Sequence, residues 1–188
     1  MLARKDCILR PVEERDLELI LVWRNSERIR SNMYTDHVIT WEEHRRWFER
    51  LQQGEGRVFS LIFEISGKAV GIVNISRLDR VNNTCHWGFY LGEVDAPRGS
   101  GTIMGFLGLE YLFEILNIRK VIGEAFVFNQ ASIAFHEKLG FSREGHFRRH
   151  VLKNNSYEDI FAFALFTEQW PKIKSELERK FFLRTEQA

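Results

Sequence analysis

NQASIAFHEKLGF, residues 129–141, is the stretch on which the reading of this chain turns. It follows VIGEAFVF at 121–128, an apolar run with the length and composition of a buried strand. The helix that comes next starts near Ser132, ends at Leu139, and is closed by Gly140, a residue suited to the left-handed position after a helix. A strand that feeds a short polar helix this directly belongs to a mixed α/β sheet.

One helix and one strand upstream lies Pro97-Arg98-Gly99-Ser100-Gly101-Thr102, which also follows a strand and opens a helix. Glycines there let backbone N–H groups turn toward an anion, and the helix N-terminus adds partial positive charge, so a phosphate fits. The nucleotide-loop motifs do not match. Gly-Lys-Ser/Thr is absent, and in Gly99, Gly101, Gly105 the third glycine falls one place late for a dinucleotide fingerprint, although Glu124 lies at a suitable distance for a ribose contact. The residues around Gly99-Ser100-Gly101 do not supply a nucleophile elbow. On spacing alone, a phosphate cradle and a plain tight turn both remain open. Gly101, Gly105 and Gly108 share a helix face that permits close approach.

Working outward, the pattern predicts strands at 7–12, 58–65, 69–78, 84–91, 121–128, 141–152 and 157–166, and helices at 13–28, 41–53, 101–116, 132–139 and 170–182. Thr40 and Glu43 form a capping box for the second helix. No linker or repeat interrupts the chain, which reads as one domain over 1–188. Lys and Arg number 27 against 26 Asp and Glu, so the chain lacks the basic excess of a general nucleic-acid binder and gives no polybasic membrane tether. The apolar runs are far too short to cross a membrane, and no apolar segment follows Arg4, Lys5 and Asp6 as a signal peptide would need. Two distant cysteines, Cys7 and Cys85, read as reduced thiols in a cytoplasmic protein. Without an HExxH or a Cys/His cluster, no metal is expected.

The two motifs together resemble the GCN5-related N-acetyltransferases (GNAT). Their pattern is a glycine turn after the fourth strand, here Gly99 and Gly101, followed by N-x-x-[AS]-x-x-[LF]-x-E-K-L-G-F after the fifth, here Asn129 through Phe141. The element order over nearly the whole chain agrees. One departure is Ala96, where the family often carries Gln or Arg. The resemblance implies an α/β (α+β) GNAT fold: a mixed, mostly antiparallel seven-stranded sheet flanked by helices and splayed between strands 4 and 5. It implies acetyl-CoA as cosubstrate. The N–H groups from Arg98 through Gly99, Ser100 and Gly101 to Thr102 would hold the pyrophosphate. Backbone groups of Phe89 and Leu91 would pair with the pantetheine arm, and Asn129 would bond it. Ser132 and Lys138 would reach the nucleotide end.

Acetylation of an amine needs a neutral amine, a polarised thioester carbonyl and a proton for the leaving thiolate. His136 stands where the family often has a proton-donating Tyr; it is read either as that acid or as a packing residue. On the fourth strand Thr84, His86, Gly88 and Tyr90 share one face by period two, opposite Cys85. His86 is a candidate base or a satisfied strand histidine, and Tyr90 completes the candidate catalytic set. A backbone N–H near Leu91 is expected to polarise the carbonyl.

Residues 23–48 shape the acceptor side in this fold. Their W-R-N start, the Met before a short loop and I-x-x-E-E-H-x-x-W-F resemble PseH-type enzymes, which acetylate the 4-amine of a UDP-linked amino-dideoxy sugar. Trp23, Arg24, Asn25, Arg30, Met33 and Tyr34 are the candidate acceptor residues, with the arginines suited to a diphosphate. The partner expected is therefore a small-molecule amine, a nucleotide sugar being favoured. A protein N-terminus or polyamine acceptor, and a non-catalytic acetyl-CoA sensor, remain as alternatives. Phe181, Phe182 and Leu183 suit either a homodimer contact or core packing.

Overall fold

The structure, a computed structural model, describes residues 4–54 and 58–181. In chain order the elements are β1 (Cys7–Pro11), α1 (Leu17–Asn25), α2 (Glu27–Arg30), α3 (Trp41–Gln52), β2 (Phe59–Ile65), β3 (Lys68–Asp79), β4 (Thr84–Leu91), α4 (Ser100–Glu110), β5 (Lys120–Phe126), α5 (Gln130–Lys138), β6 (Ser142–Lys153), β7 (Ser156–Phe166) and α6 (Trp170–Phe181). The seven strands form one sheet in the order β1-β2-β3-β4-β5-β7-β6. Every neighbouring pair is antiparallel apart from β4 and β5.

Several boundaries differ from the sequence reading. The first predicted helix is broken at Ser26, which takes an extended backbone (φ −61°, ψ 140°) and donates its hydroxyl to the Trp23 carbonyl at 2.6 Å. That break makes α2 a separate turn, which absorbs Ile29 and Arg30 from the expected loop. The 101–116 helix ends in a widened π turn, Tyr111–Ile115. β5 stops at Phe126, and α5 begins two residues earlier than expected because Asn129 caps it. The capping box of α3 forms as read, with Glu43 N–H on Thr40 Oγ1 at 3.2 Å and Thr40 N–H on Glu43 at 2.8 Å. Phe181 packs against the core, whereas Phe182 and Leu183 lie outside the described residues.

Period-two alternation sorts the strand side chains onto two apolar layers. Cys85 and Trp87 of β4 join Val73, Phe106, Leu109, Phe163 and Trp170 on the face covered by α4 and α6. Ile62, Ile72 and Tyr90 meet Ile20 and Trp23 of α1 on the other. Gly105 lets α5 approach α4 closely, since a Cβ there would lie 2.6 Å from both Leu139 and Phe135; at Gly101 and Gly108 the space is ordinary. Gly92, just after β4, lies against the ring of Trp23, and no side chain fits between them.

α1 is tied to the sheet by a nearly buried charge cluster. Arg10 of β1 grips Asp16 through both terminal nitrogens (2.6 and 2.8 Å) and Glu64 through Nε (2.7 Å). Desolvation, the largest single influence, pushes the Asp16 pKa up, but the Arg10 hydrogen bonds, the Glu13 backbone N–H and the charges of Arg10 and Arg15 together hold it below the ordinary value. Removing one partner leaves the guanidinium under-compensated in a site where few waters reach it. Asp16→Ala should therefore lower the unfolding free energy by about 3 kcal/mol in urea titration. A loss below about 0.5 kcal/mol would mean that the cluster behaves as a solvated surface pair.

Candidate active site

β4 and β5 pair over three positions only, Thr84↔Lys120, Cys85↔Val121 and His86↔Ile122. Beyond them β4 runs on to Leu91 and β5 to Phe126, each held on its far side by β3 or β7. The strands diverge and leave an open wedge in the sheet. Gly92 N–H bonds the Val70 carbonyl at 2.9 Å, so Val70–Gly92 is a hydrogen-bonded pair. By alternation, Tyr90 and Gly88 also spend their backbone groups on β3, while Phe89 and Leu91 direct theirs into the wedge. A cavity of about 490 Å³ occupies it, lined by Phe89, Leu91, Gly101, Asn129 and Ser132 toward one end and by His86, Glu124 and Tyr34 toward the other.

The glycine turn forms an anion cradle at one mouth of the wedge. Gly99 takes φ +98° as the N-cap of α4. Ser100 is buried and gives both its N–H and its hydroxyl to the Pro97 carbonyl, at 3.0 and 2.6 Å. The N–H groups of Arg98, Gly99, Gly101 and Thr102 make no hydrogen bond among the described residues. Open donors at a helix start are what a pyrophosphate takes up. Lys138 reaches from α5 to donate to Thr102 Oγ1 at 2.6 Å, bringing a cation to the cradle. Asn129 spends its side-chain oxygen on the Ser132 N–H (3.0 Å), and its amide nitrogen has no partner among the described residues. At Gly99 the constraint is backbone conformation, because a Cβ would meet nothing within 4 Å.

His136 sits at the floor of the wedge, 1% exposed. The Trp87 indole N–H can only donate, and it points at His136 Nε2 at 3.3 Å. Nε2 is therefore the acceptor, and Nδ1 carries the proton and donates it to the Ser132 carbonyl at 2.8 Å. The ring stacks on Phe163. Burial pushes its pKa down to about 4, the Ser132 bond offsetting only part. At neutral pH His136 is thus uncharged and engaged at both nitrogens, which runs against the expectation of an imidazolium acid there. Gly123 makes room for the ring, as a side chain at that position would run into it.

At the far side of the cavity stands Glu124 on β5. Its Oε2 accepts from the Tyr34 hydroxyl at 2.7 Å, and its Oε1 lies 3.9 Å from His86 Nδ1 and 3.9 Å from Arg77. Burial lowers the His86 pKa, with Glu124 partly opposing, so the imidazole is a free base near neutrality. Burial and the Glu124 bond push the Tyr34 phenol well up. The sequence reading considered Glu124 only as a ribose contact. The available signal was its position as the one carboxylate in the otherwise apolar strand VIGEAF, on the same face as Ile122 and Phe126.

A second cavity of about 540 Å³ adjoins the first, sharing Met33, Asn74, Gly88, Phe89 and Tyr90 with it. Its walls carry Arg24, Arg46, Arg50 and His37, with Glu43 as the single carboxylate. Arg24 donates Nη2–H to the Thr35 carbonyl at 2.8 Å, whereas its Nη1 is buried without a partner. Tyr90 lies half-buried between the cavities, and desolvation raises its phenol pKa. Of the candidate acceptor residues, Arg24, Met33 and Tyr34 thus line cavities. Trp23, Asn25 and Arg30 line neither. Trp23 is buried and donates to Glu93 at 3.1 Å; Asn25 clasps both backbone groups of Ile39 at 2.8 Å; Arg30 is spent on the Asp36 carbonyl and on Glu27. Among the described residues, no group of three or more His, Cys, Asp or Glu is placed to hold a metal.

A sheet split beside a helix-start cradle defines an acyl-CoA-binding transferase. Residues 6–142 match the acetyltransferase (GNAT) domain family, and the chain belongs to it. It is an acetyl-CoA-dependent N-acetyltransferase acting on an amine. The uncharacterized N-acetyltransferase YokL of Bacillus subtilis is 33% identical over 129 residues, 67% of this chain and 71% of that protein. The acetyltransferase PseH of Campylobacter jejuni is 26% identical over 136 residues, 72% of this chain and 79% of that one. In fold, the chain resembles spermidine N-acetyltransferase from Vibrio cholerae in complex with CoA and spermine, with a TM-score of 0.83 at 19% identity, covering 89% of this chain and 99% of that one.

Two measurements check this geometry. Gly99→Val should weaken acetyl-CoA binding about tenfold or more by calorimetry, and Gly99→Asn less, since Asn tolerates positive φ; an unchanged Gly99→Val affinity would refute the cradle. His136 binds a proton in the unfolded chain near pH 6.5 but in the native state only near 4. Its contribution is complete above the first value and is lost as pH falls toward the second, so unfolding free energy should drop there by up to about 3 kcal/mol. A His136→Phe variant should lose that part of the slope.

Proposed function

We propose that the acceptor is the amine of a nucleotide-linked amino sugar, of the UDP-4-amino-4,6-dideoxy type, acetylated directly in a ternary complex. The observation that carries this reading is the cationic second cavity, whose walls bring together Arg24, Arg46 and Arg50. A diphosphate satisfies such donors as charge-assisted hydrogen bonds. A polyamine would meet like charge, with Glu43 already committed to capping α3. The likeness to PseH supports the same acceptor. Met33 and Tyr34, between the cavities, offer apolar surface to a deoxy sugar. The buried cysteines Cys7 and Cys85 suit a reducing cytoplasm.

In this reading acetyl-CoA supplies the acetyl group as a thioester along the wedge. The backbone N–H of Leu91, directed into the wedge, polarises the carbonyl. The His86–Glu124 pair takes the ammonium proton, leaving the neutral amine to form the new C–N bond as the C–S bond breaks. Solvent returns a proton to the thiolate, because His136 is neutral and engaged at both nitrogens.

CoA release measured across UDP-amino sugars, polyamines and N-terminal peptides tests the acceptor, with mass spectrometry confirming a single added acetyl. Selective turnover of the UDP-amino sugar is expected, and selective turnover of spermidine would contradict the charge argument. With that acceptor, Glu124→Gln and His86→Ala should each lower kcat by about a hundredfold while leaving acetyl-CoA affinity unchanged. Arg24→Ala should instead raise the acceptor KM about tenfold with kcat little altered.

A further inference from the structure

We propose that Lys153, at the tip of the β6–β7 hairpin, is a positioning residue that holds the acceptor loop across the split in the sheet. The loop between α2 and α3 starts beside β4 and passes over the mouth of the wedge. On its near side it is strapped by α1 and α2: Arg24 to the Thr35 carbonyl, Arg30 to the Asp36 carbonyl and Asn25 to both backbone groups of Ile39. On its far side, over β5 and the end of β6, the described contacts are of two kinds. Tyr34 bonds Glu124 and sets its ring edge-on to Phe126 at 5.4 Å. Lys153 donates to the Met33 carbonyl at 2.9 Å, across 120 positions of sequence, with Asp36 3.7 Å away.

Lys153 is 4% exposed. A buried ammonium carries a large desolvation penalty unless hydrogen bonds and charge offset it. All three of its partners belong to the loop or the site: the Met33 carbonyl, the Asp36 carboxylate and the face of Phe126, 5.5 Å from the nitrogen. An apolar residue of equal length would fill the same space without reaching for them, so the charge is placed where it fixes the loop. The two far-side contacts also differ in what they touch. Tyr34 bonds Oε2 of the carboxylate that the proposed reaction uses and leaves Oε1 toward His86. Lys153 touches no group that the reaction uses, and it holds the loop at Met33.

The inference rests on the position of the acceptor site, not on which amine fills it. Hydrogen exchange of the loop, without any acceptor, decides it. In Lys153→Met, amides at 32–37 should exchange about tenfold faster, with β5 and α4 unchanged and acetyl-CoA affinity kept within about twofold. With the amine that the enzyme turns over, KM for that amine should rise about tenfold and kcat should change less than about threefold. Lys153→Arg, which keeps a donor, should restore much of the protection. Wild-type exchange in the loop, or acceleration spread equally through β5 and the hairpin, would overturn the proposal. Should Lys153→Met fail to fold, Asp36→Asn at the partly exposed end of the strut should still loosen the loop severalfold, and unchanged exchange there would overturn it as well.

Discussion

Three residue pairs hold β4 to β5, and the site depends on the pairing stopping there. Had it continued, the backbone groups of Phe89 and Leu91 would be spent within the sheet and no channel would cross it. The divergence is enforced from both sides. β4 remains paired to β3 as far as Leu91, and β5 remains paired to β7 as far as Phe126. Between them the Trp87 indole and the His136 ring meet by a buried hydrogen bond at the floor, in space that Gly123 leaves open. The wedge is therefore packed at its base and unpaired above it, which sets out hydrogen-bonding groups for an amide-bearing chain without any rearrangement of the fold.

The same wedge separates two electrostatic environments. At the α4 end, open N–H groups and Lys138 favour an anion. At the Glu124 end, a carboxylate, a neutral imidazole and a phenol favour proton removal from an ammonium. A strongly cationic cavity lies beyond, on the α1–α3 side. Under the proposed function, an acceptor carrying an amine close to a phosphate would meet the last two of these environments along one path.

Much of this was legible in the chain because it is written in local chemistry. The helix start after Pro97, the Asn129 cap and the Gly140 stop are short-range features, and they placed α4 and α5 correctly relative to the strands. All seven strands were legible from periodicity. What the chain could not display is which partner a side chain chooses. Arg24 and Arg30 look alike in WRNSERIR, and each keeps one buried nitrogen without a partner, yet Arg24 lines the second cavity whereas Arg30 turns to Asp36 and Glu27. Asn25 resembles a ligand residue and is a loop clasp. His136, at the position of a proton donor, is turned into the core by Trp87, 49 residues away. Glu124 and Lys153 acquire meaning only when β5 and the last hairpin are brought beneath the loop. Asn25 and Ser26 weaken the helical pattern near the end of 13–28, but the full break appears only with the Ser26 hydroxyl on the Trp23 carbonyl.

Residue-resolved hydrogen exchange of β4, with and without acetyl-CoA, tests the open wedge most directly. The amides of Phe89 and Leu91 should exchange readily in the free protein and become protected on binding, while Gly88 and Tyr90, already paired to β3, should change little. If acetyl-CoA bound with its usual affinity and left Phe89 and Leu91 exchanging as before, the split between β4 and β5 would not be where the cosubstrate lies.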